Sequence, residues 1–269
     1  MNEQQEMYIQ NLQTKWASYA QGVNIFVYGD VGTGKTSLAA TCPKPILIHS
    51  FDPGGSRASK LQPLIDSGEC IVDTSFEMSA ESDWKKPQIF TKWLDTMDTL
   101  RKMDFFNNVG TFVIDTATAL SDSCMNVCLK SNGRTGGRPE WGTYFEMIPR
   151  MTQALGAVCS LPCTVLVTGH MYKSVDDHKG VTERMFLAPG QSSIKVPALF
   201  DEKYVAMTEE NKQTEEIEYF LLTEPYETYH ACTRIGGEAF DLMEEADICK
   251  MFDKAGVKWE HKPAFSEGS

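Results

Sequence analysis

The residues best suited to chemistry form one glycine-rich stretch, Gly29-Asp30-Val31-Gly32-Thr33-Gly34-Lys35-Thr36. It matches G-x-x-x-x-G-K-[ST], the pattern of a phosphate-binding P-loop. Its glycines permit backbone conformations that other residues disfavour, so successive N–H groups can face one phosphate. Lys35 is expected to contact the β- and γ-phosphates, and the Thr36 hydroxyl to coordinate Mg²⁺. We expect these eight residues and Ser37 to line a site for a nucleoside triphosphate.

The elements on either side of this loop are those that a P-loop needs. Val23 to Tyr28 is rich in β-branched and aromatic residues, which favours a strand. Ser37 to Ala40 suits a helix, and Pro43 ends it. The start of that helix adds its positive dipole end to the phosphate site.

A second candidate group follows the run Thr111-Phe112-Val113-Ile114-Asp115. A hydrophobic strand that ends in an acid downstream of a P-loop is typical of a Walker B element, so Asp115 is expected to hold Mg²⁺ directly or through water. The next residue is Thr116 and not glutamate, so the carboxylate that orients water must come from elsewhere. Asp52, which follows the apolar run Pro45 to His49, is the best-placed alternative because ligand groups gather at strand ends in open α/β sheets.

Composition limits the class of protein. The chain has 269 residues, 42% of them hydrophobic, and a formal net charge of −12. Such a charge argues against a basic face along the whole protein but leaves a local basic groove open. No apolar run approaches the roughly 20 residues of a membrane span, and the polar N-terminus is unlike a signal peptide. The eight cysteines lie mostly in apolar segments, which favours buried thiols. We therefore expect a cytoplasmic protein that does not contact membranes.

Periodicity predicts an α/β fold with a central, mostly parallel sheet flanked by helices and extended by late antiparallel strands. We expect an N-terminal helical segment (1–22), a core (23–257) and a flexible tail (258–269). The N-terminal helix, from about Glu3 to Tyr19, should pack its apolar side beside the core, although a docking surface for a partner is the alternative. That side carries Tyr8, Ile9, Leu12 and Trp16. The other predicted elements are helices at 89–106, 117–129, 141–161 and 240–255, a hairpin at 171–187, and strands at 70–73, 199–207, 217–222 and 228–234.

Two further segments have open interpretations. The strand Cys163 to Thr168 ends in Gly169-His170, and His170 is either a sensor of the γ-phosphate or a structural histidine. The loop Ser131 to Pro139 is rich in glycine and carries Arg134 and Arg138. It could contact phosphate on DNA or on a neighbour's nucleotide, or it could be a solvated loop.

With these residues in place, the chain resembles the RecA-like P-loop ATPases of bacteriophages, some of which are single-strand annealing recombinases. The resemblance rests on the P-loop, on Asp52 with Gly54-Gly55, on the segment Ile114 to Leu120, and on Gly169-His170. The family's Pro-x-Leu-Phe-Asp phrase appears as Pro197-Ala198-Leu199-Phe200-Asp201. The family usually places the acid directly before the two glycines, whereas Pro53 intervenes here.

The resemblance implies ATP and Mg²⁺ as ligands. It implies Lys35 and Thr36 on the phosphates and metal, Asp115 on the metal, Asp52 as the base that orients water, and His170 as a sensor. It also implies a head-to-tail ring or filament that binds single-stranded DNA through the segments 171–179 and 188–195. The residues that would contact DNA there are Tyr172, Lys173, Lys179, Arg184 and Lys195.

Three functions remain open from the sequence. The first is an ATPase that acts on single-stranded DNA in recombination. The second is a nucleotide kinase in which Arg134 and Arg138 form a lid. The third is an assembly factor that binds nucleotide without turnover. No Asn-Lys-x-Asp motif of GTPases is present, so ATP is the default nucleotide.

Overall fold

A computed structural model of the chain describes residues 1–19, 22–54, 57–81, 83–176 and 180–265. Its helices are α1 (Glu3–Tyr19), α2 (Lys35–Leu38), α3 (Gln62–Asp66), α4 (Ile89–Lys102), α5 (Ala117–Ser131), α6 (Trp141–Val158), α7 (Ser192–Lys195) and α8 (Ile248–Lys254). Its strands are β1 (Asn24–Gly29), β2 (Ile46–Ser50), β3 (Cys70–Asp73), β4 (Thr111–Asp115), β5 (Thr164–Asp176), β6 (Gly180–Phe186), β7 (Glu202–Glu210), β8 (Ile217–Leu222) and β9 (Met243–Glu245).

The described strands form one sheet in the order β3-β2-β4-β5-β1-β7-β8-β9, with β6 paired to β5. Pairing is parallel from β3 through to β7. It becomes antiparallel where β8 and β9 are added and in the β5–β6 hairpin. The predicted architecture is therefore confirmed: this is an α/β fold with a central, mostly parallel sheet and late antiparallel strands.

The central strands are mostly apolar along their length, as expected of parallel strands that are covered on both faces. Every residue of β1, β2 and β4 is buried. Since side chains alternate across a strand, Phe26 and Phe112 enter one hydrophobic cluster with Trp93 of α4. Their neighbours Ile25 and Val113 enter the cluster on the opposite face. The sheet is thus a rigid support for whatever its strand ends carry.

The strand order decides which strand ends meet. Strand β5 lies between β1 and β4, so the P-loop strand and the strand ending in Asp115 are separated by one strand. In the register, Gly29 is paired with His170, and Ser50 with Asp115. The ends of β1, β2, β4 and the parallel part of β5 therefore share one edge of the sheet.

Two late elements differ from the prediction. Residues 228–234 form only isolated bridges, because Thr228 bonds to the backbone of Arg184 on one side while Cys232 bonds to Lys203 on the other. The helix predicted over 240–255 begins only at Ile248, where the Asp247 side chain caps it. The preceding residues form β9, which pairs with β8. The segment 188–195, which the resemblance assigns to DNA contact, contains the short helix α7.

Both ends of the chain also differ from expectation. Helix α1 has the predicted bounds, but its apolar side chains Met7, Tyr8, Ile9 and Leu12 are exposed and not packed on the core. The side chain of Trp16, predicted on the same face, lies outside the described part. At the other end, residues 258–265 are anchored: Lys262 donates to two carbonyl groups, and Phe265 stacks on Phe105.

Six of the eight cysteines are buried free thiols, as predicted, whereas Cys232 is exposed and Cys249 is partly exposed. Within the described ranges, no helix combines the length and the apolar character that crossing a membrane requires.

Candidate nucleotide-binding site

The P-loop has the backbone shape that its glycines predict. Strand β1 ends at Gly29, and α2 begins at Lys35. Between them Gly32 and Gly34 adopt positive φ angles of 86° and 77°, in the region that other residues disfavour. The helix is short: after α2 the chain continues as a single 3-10 turn to Thr41.

The side chain of Lys35, the first residue of α2, turns back into the P-loop. The residue is only 7% exposed, and Nζ donates to the carbonyl oxygens of Gly29 at 3.0 Å and Asp30 at 2.6 Å. Burial lowers the pKa of Lys35, while the carboxylates of Asp115, Asp30 and Asp52 act in the opposite direction. A buried ammonium held by neutral carbonyl groups gains a stronger partner when an anion enters the loop.

Asp115 and Thr36 form the second part of the site. Thr36 Oγ1 donates to Asp115 Oδ2 at 2.7 Å, and the Thr168 hydroxyl donates to Asp115 Oδ1. Burial raises the pKa of Asp115, and these two hydrogen bonds offset that only in part. A bound cation would favour the charged form of such a carboxylate.

This donor set fits Mg²⁺. A hydroxyl and a carboxylate oxygen are hard ligands, and Mg²⁺ commonly takes one or two protein ligands and fills its shell with phosphate and water. In the described residues, no group of three or more His, Cys, Asp or Glu side chains could enclose a metal alone. A cation held by Thr36 and Asp115 would therefore depend on a phosphate for affinity.

Asp52 and His170 meet, although they are 118 residues apart in the chain. His170 Nε2 lies 2.9 Å from Asp52 Oδ2, and Thr116 Oγ1 donates to the same oxygen at 3.0 Å. Burial alone would raise the pKa of Asp52, but the hydrogen bonds from His170 and Thr116 and the charge of Lys35 hold it below its usual value. Asp52 is therefore an ionised carboxylate in a fixed orientation.

These groups line one cavity of about 330 Å³. It is bounded by Val31, Gly32, Gly34, Lys35, Thr36, Ser37, Asp52, Pro53, Gly54, Asp115, Thr116 and His170. The predicted catalytic residues and metal ligands thus share one space. Gly55, predicted beside Asp52, lies outside the described residues.

The residues predicted to contact DNA are more dispersed. Strand β5 continues past His170 into the hairpin with β6, where Tyr172 is half-exposed and Lys173 Nζ pairs with Asp30 Oδ2 at 2.7 Å. Arg184 instead lies over the ring of Tyr229, with its guanidinium 4.5 Å from the ring centroid. Lys195 is in α7, on a groove lined by Trp141 and Phe145. Lys179 lies outside the described residues.

The loop arginines are not part of the cavity. Arg134 pairs with Glu140 at 2.6 Å, just before α6. Neither Arg134 nor Arg138 lines the nucleotide cavity.

Three threonines to which the sequence assigned no role in the site support it. Thr168 and Thr116 bond to the carboxylates of Asp115 and Asp52, and Thr118 Oγ1 accepts from the His170 backbone at 3.0 Å. Thr116 and Thr118 follow the strand that ends in Asp115, and Thr168 lies within β5, two residues before His170. Closeness in the sequence to predicted site residues was therefore the signal that could have identified them.

Comparison with known proteins gives one family. The family model described as "AAA domain" matches residues 21–235, which include the P-loop, Asp52, Asp115 and His170. No curated protein matches the chain. Among solved structures, the KaiC-like protein PH0186 from the hyperthermophilic archaeon Pyrococcus horikoshii OT3 has a TM-score of 0.42 and 13% identity over 75% of this chain and 77% of that one. An ATPase from the type III secretion system of pathogenic bacteria has a TM-score of 0.44 and 16% identity over 69% of this chain and 52% of that one.

Proposed function

The chain belongs to the AAA-domain family, and on that premise we propose that it binds ATP with Mg²⁺, hydrolyses it, and acts on single-stranded DNA. The proposed role is in recombination or strand annealing, as in the phage recombinases that its motifs resemble. The proposed active form is a head-to-tail ring or filament of identical subunits. The observation that carries the hydrolytic part is the cavity in which Lys35, Thr36, Asp52 and Asp115 meet.

Each residue has a role that its contacts support. Lys35 exchanges its carbonyl partners for phosphate oxygens, and Thr36 with Asp115 would hold Mg²⁺, which supplies neutralisation of phosphate charge when bound. The water oxygen attacks the γ-phosphorus, the bond from that phosphorus to the bridging oxygen breaks, and Asp52 accepts the water's proton. Among the described residues, the contacts of Asp52 with Thr116 and His170 both use Oδ2, which leaves Oδ1 for the water.

The proposed contact with DNA rests on the β5–β6 hairpin. It carries Tyr172, whose ring is available for stacking, and Lys173, whose charge suits a phosphate. The protein is acidic overall, so DNA would have to bind along a local surface such as this one. The hairpin extends from the same strand that carries His170 into the nucleotide cavity, which supports a link between DNA binding and turnover.

The deciding experiment measures phosphate release across a titration with single-stranded DNA, with particle size followed in parallel. We expect turnover that rises with DNA, together with larger particles. Adding nucleoside monophosphates tests the competing kinase function, since consumption of that acceptor would overturn the proposal. ATP binding without any turnover would indicate a nucleotide-dependent assembly factor instead.

Replacing His170 with alanine should abolish stimulation by DNA. The ratio of turnover with DNA to turnover without it should fall to about one, because the hairpin strand then loses its side chain in the cavity. His261→Ala is the matched control, since His261 contacts the backbone of Lys44 in the anchored C-terminal segment. An unchanged ratio in His170→Ala would assign His170 a structural role.

Replacing Lys173 with alanine should weaken binding of single-stranded DNA. If Lys173 contacts one phosphate, the slope of log affinity against log salt should become shallower by about 0.7. Lys102→Ala removes an exposed charge on α4 that also pairs with an aspartate, Asp98, and serves as the control. Because Lys173 also pairs with Asp30 of the P-loop, ATP binding is measured in parallel. A salt slope equal to that of the Lys102 variant would exclude the contact.

A further inference from the structure

Tyr219 of β8 lies against the P-loop. A Cβ built on Gly34 would be 2.7 Å from Tyr219 Cδ1, so the ring covers the side of Gly34 where any other residue would carry its side chain. Tyr219 is 38% exposed. It therefore offers apolar surface at the rim of the phosphate site.

The ring is not needed to fill the core. Tyr219 belongs to neither of the two hydrophobic clusters formed by the described residues. Its strand is exposed from Ile217 to Tyr219 and becomes buried only toward Leu222. An aromatic side chain outside the core and in contact with a ligand loop is available to the ligand.

The sheet order indicates which part of the ligand would reach it. Asp52 and Asp115 follow or end strands β2 and β4, and both lie on one side of β1. Strand β8 lies on the other side of β1, beyond β7. A triphosphate whose terminal phosphate faces Asp52 extends away from those carboxylates, so its nucleoside end leaves the P-loop on the β7–β8 side.

The ammonium group of a lysine contacts the Tyr219 ring. Lys60 Nζ lies 5.8 Å from the centroid of the Tyr219 ring. Lys60 precedes α3, in the segment that follows Asp52. The place where the nucleoside end would leave the P-loop thus combines an aromatic ring with a positive charge, a pair that suits a nucleobase attached to a phosphate.

We propose that Tyr219 is the platform on which the base of the bound nucleotide stacks, with the ammonium group of Lys60, which contacts the same ring, beside the base. The proposal rests on the nucleotide-binding function proposed above and specifies where the base of the nucleotide binds. Every base has an aromatic face, so stacking discriminates little between adenine and guanine. Tyr219 therefore contributes affinity for purine nucleotides and little preference between ATP and GTP.

The test compares a ligand that has a base with one that has none. Binding of ATP, GTP and inorganic tripolyphosphate, each with Mg²⁺, is measured by calorimetry for the wild type, Tyr219→Ala and Tyr219→Phe. Tyr219→Ala should weaken ATP and GTP binding by about 10-fold or more and leave tripolyphosphate binding unchanged. Tyr219→Phe keeps the ring and should bind all three as the wild type does.

Two results would overturn the stacking role. Equal weakening of ATP and tripolyphosphate would mean that Tyr219 only supports the shape of the P-loop at Gly34. Unchanged ATP binding in Tyr219→Ala would mean that the base lies elsewhere. A wild type that binds neither ATP nor tripolyphosphate would instead contradict the proposed nucleotide site itself.

Discussion

Replacing Lys35 with alanine is expected to weaken ATP binding by about 100-fold, since a hydrogen bond to a charged group contributes roughly 1.5–3 kcal/mol. The same change should leave the fold intact or slightly stabilised. In the structure the ammonium is buried against carbonyl groups of Gly29 and Asp30, and burial of a charge without an ionic partner is unfavourable. Calorimetry with Mg-ATP and thermal unfolding without ligand measure the two effects separately.

The thermal experiment also contains its own control. ATP should raise the melting temperature of the wild type and of Lys250→Ala, which removes an exposed charge of α8, but not that of Lys35→Ala. If ATP stabilises Lys35→Ala as much as the wild type, the triphosphate does not lie in the P-loop.

Replacing Asp52 with asparagine is expected to preserve ATP binding and to reduce hydrolysis by about 10²- to 10⁴-fold, the usual contribution of a general base. Asparagine has nearly the same shape and can still accept the Thr116 hydrogen bond, but its amide cannot take a proton from water. Single-turnover phosphate release, measured beside equilibrium ATP binding, separates the chemical step from affinity.

Asp122 of α5 provides a matched control for this change. Burial first, and then the charge of Asp52, raise the pKa of Asp122, so the two carboxylates are close enough to interact. Asp122 does not line the nucleotide cavity. We expect Asp122→Asn to hydrolyse ATP normally. Normal hydrolysis by Asp52→Asn together with loss in Asp122→Asn would assign the base to Asp122.

The parts of the site that were predictable are those that a short segment carries by itself. A P-loop needs particular glycines, a lysine and a threonine between a strand and a helix, and all of these are consecutive in the sequence. Asp115 was identifiable because an acid that ends a buried strand is unusual without a ligand. The fold class was predictable for the same reason, because each apolar strand and each helix is recognisable within its own short segment.

The contact between Asp52 and His170 was not predictable in this way. It depends on β2 and β5 lying on either side of β4, so that Asp52 and His170 meet across the end of that strand. Sequence patterns place strands along the chain but not side by side. Single roles for the two residues were therefore inferred, whereas the structure joins them through one carboxylate oxygen.

Other differences have similar causes. The amphipathic spacing of α1 identifies an apolar face but not what covers it, and Met7, Tyr8, Ile9 and Leu12 are exposed. Strand β9 has only three residues, too few for a periodic signal, so its segment was assigned to the following helix. Asp247 was the available sign that the helix begins later, since aspartate is a favoured N-cap residue.

Strand β5 is continuous from the buried sheet through His170 to Lys173, and its first irregularity occurs only at Ser174 and Val175. The side chains of His170 and Lys173 are therefore attached to the same continuous stretch of strand. A force applied to the hairpin, by a polymer or by an adjoining subunit, would reach the terminal-phosphate end of the cavity without relay through intervening side chains. By thermodynamic reciprocity, if a ligand bound to the hairpin changed the affinity of the cavity for nucleotide by some factor, the nucleotide would change the affinity of the hairpin for that ligand by the same factor.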